Sequence, residues 1–134
     1  IEQFLNEQSE LFDLDTGRGM QPRLVHNDLW EPNLLVRQEA DGWHIAAIVD
    51  GDRAMFADPE YEFALWESNP DFLKGYSLPL DPSPPAGQRR NWYQMSLALT
   101  NAYVFKVEYL DEENRHHTER WIEDLLRKIS DFSG

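Results

Sequence analysis

Cysteine is missing from the 134 residues altogether, and lysine occurs only three times. The first absence removes disulfides, thiolate metal sites and a cysteine nucleophile together, and agrees with a reducing compartment. The second belongs to a wider shortage of positive charge: 12 Lys plus Arg stand against 25 Asp plus Glu, a net charge of −13. A nucleic-acid binder needs a basic stripe to displace counterions from phosphates, and an anionic membrane surface repels the same acidic chain, so neither partner is expected. No apolar run approaches the roughly 18 residues or more of a membrane span, and residues 1–8 mix acids and amides with apolar side chains, unlike a signal peptide. The expected setting is soluble and cytoplasmic. Internal repeats and low-complexity tracts are also lacking. What the chain does have is 41% hydrophobic and 13% aromatic residues, including five Trp. That is enough to bury a core within one compact domain.

Phe4, Leu5, Leu11 and Phe12 fall among Glu and Gln at helical spacing, so the sequence is expected to open inside a helix. With no Met and no capping residue ahead of it, the segment reads as the later part of a longer protein. Residues 13–22 form a turn-rich connection. Strands are expected over 23–26, 34–37 and 43–50, the last two pairing antiparallel across an Asp41-Gly42 hairpin. A polar loop over 27–33, broken by Pro32, separates the first two, and 51–57 reads as another loop. Asp58-Pro59 has the form of an N-cap followed by proline at the first helical position, opening a helix over 60–67 that Asn69-Pro70 closes. A short helical turn over 71–76 and a proline-rich irregular loop over 78–85 follow. Two long helices complete the chain: 86–110, with Trp92, Met95, Leu97, Leu99, Tyr103, Val104 and Val107, and 111–129, striped by Trp121, Ile122, Leu125, Leu126 and Ile129. The fold class is α+β, mostly helical, with a small three-strand antiparallel element in the middle.

The loop between the first two strands carries the chemistry. His26, Asp28 and Asn33 occupy relative positions 1, 3 and 8, the spacing of a kinase catalytic loop. In that chemistry an Asp accepts the proton of the attacking hydroxyl, and an Asn a turn later gives Mg²⁺ a neutral oxygen without adding charge beside the phosphates. Asp50 ends an apolar strand 22 residues after Asp28 and offers the metal a carboxylate from a rigid support. Bland alternatives stand beside these readings. Asp28 and Asn33 could make Asx turns, Asp52 could be a solvated loop carboxylate, and Trp30 could pack under the loop or line a cleft. His116-His117 point in different directions on a helix and read as surface residues.

Residues 24–36 (LVHNDLWEPNLLV), 48–52 (IVDGD) and 57–64 (ADPEYEFA) together resemble the C-terminal lobe of the aminoglycoside phosphotransferase and fructosamine kinase superfamily. The likeness is specific over about 22–66 and loose in the flanking helices. It implies a protein-kinase-like fold, ATP and Mg²⁺ as cofactors, and phosphorylation of a small-molecule hydroxyl. By position it implies Asp28 as catalytic base, Asn33 and Asp50 as metal and nucleotide ligands, His26 as the brace of the catalytic loop, and a structural role for Asp58. Two departures stand out: Asn27 where the family usually has Gly, and Glu62 where it often has Asp.

A glycine-rich hairpin and a strand lysine, which cover and pair the ATP phosphates in such folds, have no counterpart here, since Lys74, Lys106 and Lys128 all follow the loop. The 134 residues are therefore expected to be a single catalytic and substrate-binding lobe whose N-lobe lies elsewhere, inactive on its own and exposing an apolar face. Glu31, Asp52, Glu60, Glu62, Glu67, Asp71, Glu108, Asp111, Glu112, Glu113 and Asp124 make the helical part acidic. Such a field favours a cationic acceptor, an aminoglycoside or other amine-bearing sugar first. Trp66, Trp92, Tyr93 and Glu108 are candidates for the acceptor pocket. Two further readings remain open: a truncated or degenerate lobe acting as a binding module, and a metal-dependent hydrolase using His26, Asp28 and Asp50.

Overall fold

The computed structural model describes residues 9–13, 21–66, 69–76 and 79–131. The expected opening helix falls mostly outside this set; within it, Ser9–Phe12 is a single 3-10 turn. The central element holds four short strands where three were expected. β1 (Arg23–Val25) pairs antiparallel with β4 (Met55–Ala57), and β2 (Leu34–Glu39) pairs antiparallel with β3 (Gly42–Ile48), making two separate two-stranded sheets. β4 lies in the stretch expected to be a loop. Three residues are too few to show a period of two, and only the partner strand β1 makes the segment extended.

The β2–β3 hairpin closes as expected, with Glu39 opposite Gly42 across a two-residue turn. Gly42 has φ +138°, a backbone that side-chain-bearing residues rarely adopt. A register shift between Leu35 and Val36 bends the ladder. Asp58 caps the next segment, accepting from the Glu60 N–H at 2.9 Å with Pro59 behind it. A 3-10 turn over Pro59–Glu62 then runs into α1 (Phe63–Trp66), where one continuous helix was expected. α2 (Pro70–Gly75) is capped by Asn69, whose side chain accepts from the Asp71 and Phe72 N–H groups.

Ser83, followed by Pro84 and Pro85, starts α3 (Pro84–Tyr103), which continues as a π-helical turn over Val104–Glu108. Asp111 then caps α4 (Glu112–Asp131) by accepting from the Asn114 N–H at 3.0 Å. The main core lies between these two helices: Trp92, Met95 and Ala98 of α3 meet Leu125 and Ile129 of α4, with Leu11, Phe12, Trp121 and Ile122 packed against them. Each fully buried large side chain there is worth about 1.5–3 kcal/mol. The apolar stripe expected of α3 is buried only in part, because Leu99, Tyr103 and Val107 are exposed.

A second cluster sits under the β1–β2 loop. Phe63 packs edge-on against Tyr76 with ring centroids 4.6 Å apart, and Trp66 stacks on Phe72 at 5.7 Å. Among the described residues no helix is long and apolar enough to cross a membrane. The architecture is α+β, mostly helical with small antiparallel sheets.

Candidate active site

Val25, 1% exposed, anchors the end of β1, and the chain leaves it through His26 and Asn27. Both backbone N–H groups there donate to one carboxylate: His26 to Glu62 Oε2 at 2.5 Å and Asn27 to Oε1 at 3.2 Å. Glu62 is thereby the strap that ties the loop to the 3-10 turn ahead of α1. Asn27 has φ 60°, a left-handed backbone that Gly and Asn tolerate best. On the far side of the loop the Trp66 indole N–H donates to the Leu29 carbonyl. Trp30 is half-exposed.

The His26 ring meets the Val49 carbonyl through Nε2 at 3.0 Å. A carbonyl only accepts, so Nε2 donates this hydrogen bond. Nδ1 is sealed from solvent and has no hydrogen-bond partner among the described residues. His26 therefore ties the loop to the end of β3, and neither ring nitrogen is offered to a ligand.

Asn33 is buried at the start of β2. Its Nδ2 donates twice, to the Asp28 carbonyl at 2.8 Å and to Asp28 Oδ2 at 3.1 Å. With the amide nitrogen committed, Asn33 Oδ1 is left as an unengaged acceptor among the described residues. The Asn33 carbonyl in turn accepts from the Val49 N–H at 3.0 Å, extending the β2–β3 ladder by one rung past Leu34 and Ile48. That rung brings Asp50, next in the chain, alongside the loop although 22 residues separate it from Asp28. Asp50 also has φ 60° and is exposed. A neutral amide oxygen and a carboxylate with no partner among the described residues are hard oxygen donors of the kind a Mg²⁺ site uses, so the donor types suit that ion.

Two residues that sequence reasoning passed over complete the arrangement. Arg53 donates from Nη1 to Asp28 Oδ1 at 3.1 Å. It sits in a turn closed by the Ala54 N–H on the Gly51 carbonyl at 3.1 Å. A cation three residues after Asp50, in a chain so short of positive charge, was the available signal. Glu62, read as a departure and as part of an acidic field, is the second.

Asp58 plays the structural part expected of it. It is 3% exposed and accepts from Arg89 Nε at 2.7 Å and from the Tyr93 hydroxyl at 3.0 Å. Glu60, also buried, pairs with Arg89 Nη2 and Arg90 Nη1, each at 3.1 Å. The acidic field that favoured a cationic acceptor is thus thinner than composition suggests, since Glu60 is neutralised inside the protein and Glu62 faces two backbone N–H groups. Glu112 and Asp124 pair with Arg115 and Arg127 on their own helix. Burial first, and the Glu62 charge second, push the Tyr76 phenol above its ordinary value.

Asp28 opens on a small cleft of about 20 Å³ lined by Asn27, Leu29, Tyr61, Leu65 and Leu97. An adjoining crevice of about 40 Å³ is bounded by Arg53, Asn27, Tyr61, Ser96 and Thr100. Of the residues suggested for an acceptor pocket, Trp92 and Tyr93 are largely buried but line a pocket of about 320 Å³ together with Phe12, Tyr61, Ser96 and Leu99, Trp66 braces the loop, and Glu108 is exposed at the end of the π-helical turn. His116 and His117 are exposed on α4, as expected.

No curated protein and no solved structure matches the chain. A sequence model of the phosphotransferase enzyme family matches residues 1–67, half of the chain and the half that holds His26, Asp28, Asn33 and Asp50. With the kinase-type spacing of that loop carried on this hairpin, the chain belongs to the phosphotransferase enzyme family.

Proposed function

We propose that this chain is the C-terminal, acceptor-binding lobe of a protein-kinase-like phosphotransferase that moves the γ-phosphoryl group of ATP to a hydroxyl of a small molecule. Amine-bearing sugars are the first acceptor class to assay. The observation that carries the reading is the double donation of Asn33 to Asp28. One amide holds the carboxylate that would act as base and keeps its own oxygen free for a cation. Asx turns alone would ask for neither the hairpin nor the free Asp50 beside it.

In the reaction Asp28 takes the proton of the acceptor hydroxyl as that oxygen bonds to the γ-phosphorus and the bond to the departing ADP breaks. Asn33 Oδ1 and the Asp50 carboxylate would hold Mg²⁺, which neutralises charge on the phosphates. His26 and Glu62 keep the loop at its height above the aromatic cluster, and a shift of about 1 Å at such a site can cost 10²-fold in rate. The glycine-rich loop and lysine for the phosphates would come from an N-lobe outside these residues. Leu24, Phe56, Trp43 and Ile45, all at least 60% exposed on the two sheets, support that reading, because they form apolar surface for another part of the protein to cover.

The test is phosphoryl transfer by the full-length protein with ATP and Mg²⁺ against aminoglycosides, ketosamines and small amino alcohols. Asp28→Asn should lower turnover by roughly 10²–10⁴-fold while nucleotide binding persists. Unchanged turnover would remove Asp28 from the role of base. Nucleotide binding without transfer to any acceptor would favour a non-catalytic binding module.

A further inference from the structure

The Asp28 carboxylate is held at both oxygens, by Asn33 on Oδ2 and by Arg53 on Oδ1. The two donors come from opposite ends of the hairpin. Asn33 precedes β2, whereas Arg53 lies beyond β3 in the tight turn that follows Asp50. The Arg53 and Asp28 side chains are 35% and 22% exposed, so their pairing adds little to stability, as is general for ion pairs open to water. A guanidinium is nonetheless suited to orienting a carboxylate, because its donors are fixed in a plane.

We propose that Arg53 is a positioning residue for phosphoryl transfer. By holding Oδ1 while Asn33 holds Oδ2, it fixes the plane of the Asp28 carboxylate and leaves the remaining lone pairs to the acceptor hydroxyl. It also links the base to the turn that carries Asp50, so base and metal ligand are set by one short segment. The inference rests on the reading of Asp28 as the base.

The experiment compares Arg53→Gln and Arg53→Lys with the parent in the full-length protein, measuring kcat and KM for ATP and for the acceptor. Arg53→Gln should lower kcat between roughly 10- and 100-fold, with both KM values within about twofold. Arg53→Lys should restore part of the loss, and Arg53→Gln added to Asp28→Asn should cost nothing further. An unchanged kcat, or a raised acceptor KM with kcat intact, overturns the proposal. So does an equal loss in the Lys and Gln variants accompanied by a lower melting temperature, which would mark a structural role.

A second readout does not depend on turnover. The side-chain ¹⁵N resonances of Arg53 should move in Asp28→Asn, and unmoved resonances show that no pair forms in solution, overturning the proposal. A parent protein without transfer to any acceptor defeats the kinase reading and this proposal together. A parent that transfers while Arg53→Gln is unaffected defeats this proposal alone.

Discussion

Asn27 and Asp50, the residues that flank the candidate site on its two segments, both have φ 60°. A left-handed backbone costs most side chains about 1–2 kcal/mol, and Asn and Asp are the non-glycine residues that bear it best. The position demands a conformation, and Asn meets it where the resemblance led one to expect Gly. Asn27→Gly should leave the urea midpoint nearly unchanged, whereas the β-branched Asn27→Val should lower stability by about 1–3 kcal/mol. Equal midpoints for the two variants would contradict a left-handed residue 27. Glu62 shows the same logic in a side chain, because its two oxygens satisfy the two N–H groups that the left-handed kink turns away from any strand partner.

Among the elements, the join between the 3-10 turn at Pro59–Glu62 and α3 is made by buried charge. Arg89 is 2% exposed and bridges Asp58 and Glu60, with Arg90 and Tyr93 completing the cluster. Taking one partner away from such a network leaves a charge without compensation. Arg89→Met should destabilise by about 3–5 kcal/mol in equilibrium unfolding; a loss near zero would mean that water replaces the guanidinium. α4 begins with a different device. The hydrogen bonds Asp111 accepts from Asn114, backbone first and side chain second, hold its carboxyl below the ordinary value of 3.8. A carboxyl with a depressed folded value contributes stability above its unfolded value and loses it as pH falls through the folded one. Protection factors for amide exchange, corrected for the intrinsic rate at each pH, should therefore fall in the first turn of α4 below about pH 4, and Asp111→Ala should abolish that pH dependence of protection while leaving the C-terminal turn protected.

Across the whole molecule the packing is uneven. The α3–α4 pair holds the main core, whereas the β2–β3 hairpin keeps nearly every apolar side chain exposed. An isolated two-stranded hairpin is marginal in water, so its stiffness comes from its base, where the Val49–Asn33 rung and the His26 ring tie it to the loop. Leu125→Ala, at a site with no solvent exposure, should cost about 2–5 kcal/mol, while Leu126→Ala next to it, 41% exposed, should stay within about 0.5 kcal/mol. Comparable losses at both positions would place the core on another face of α4.

Much of this protein is legible without its structure. The spacing of His26, Asp28 and Asn33, the β2–β3 hairpin, the caps at Asp58 and the helix stripe through Leu125 and Ile129 are local patterns. They are set by turn chemistry, capping and periodicity within a few residues, and these survive in any linear reading. What only the tertiary structure decided involves partners far apart in the chain: Arg53 on Asp28, Glu62 under His26 and Asn27, Arg89 between Asp58 and Glu60, and β4 beside β1. Each is a charge or a short extended segment whose local sequence is compatible with an exposed loop. A carboxylate reads the same whether it faces water or a buried N–H. Only the fold, by bringing a donor across 25 to 36 residues, separates the acids that hold the site together from those that colour the surface.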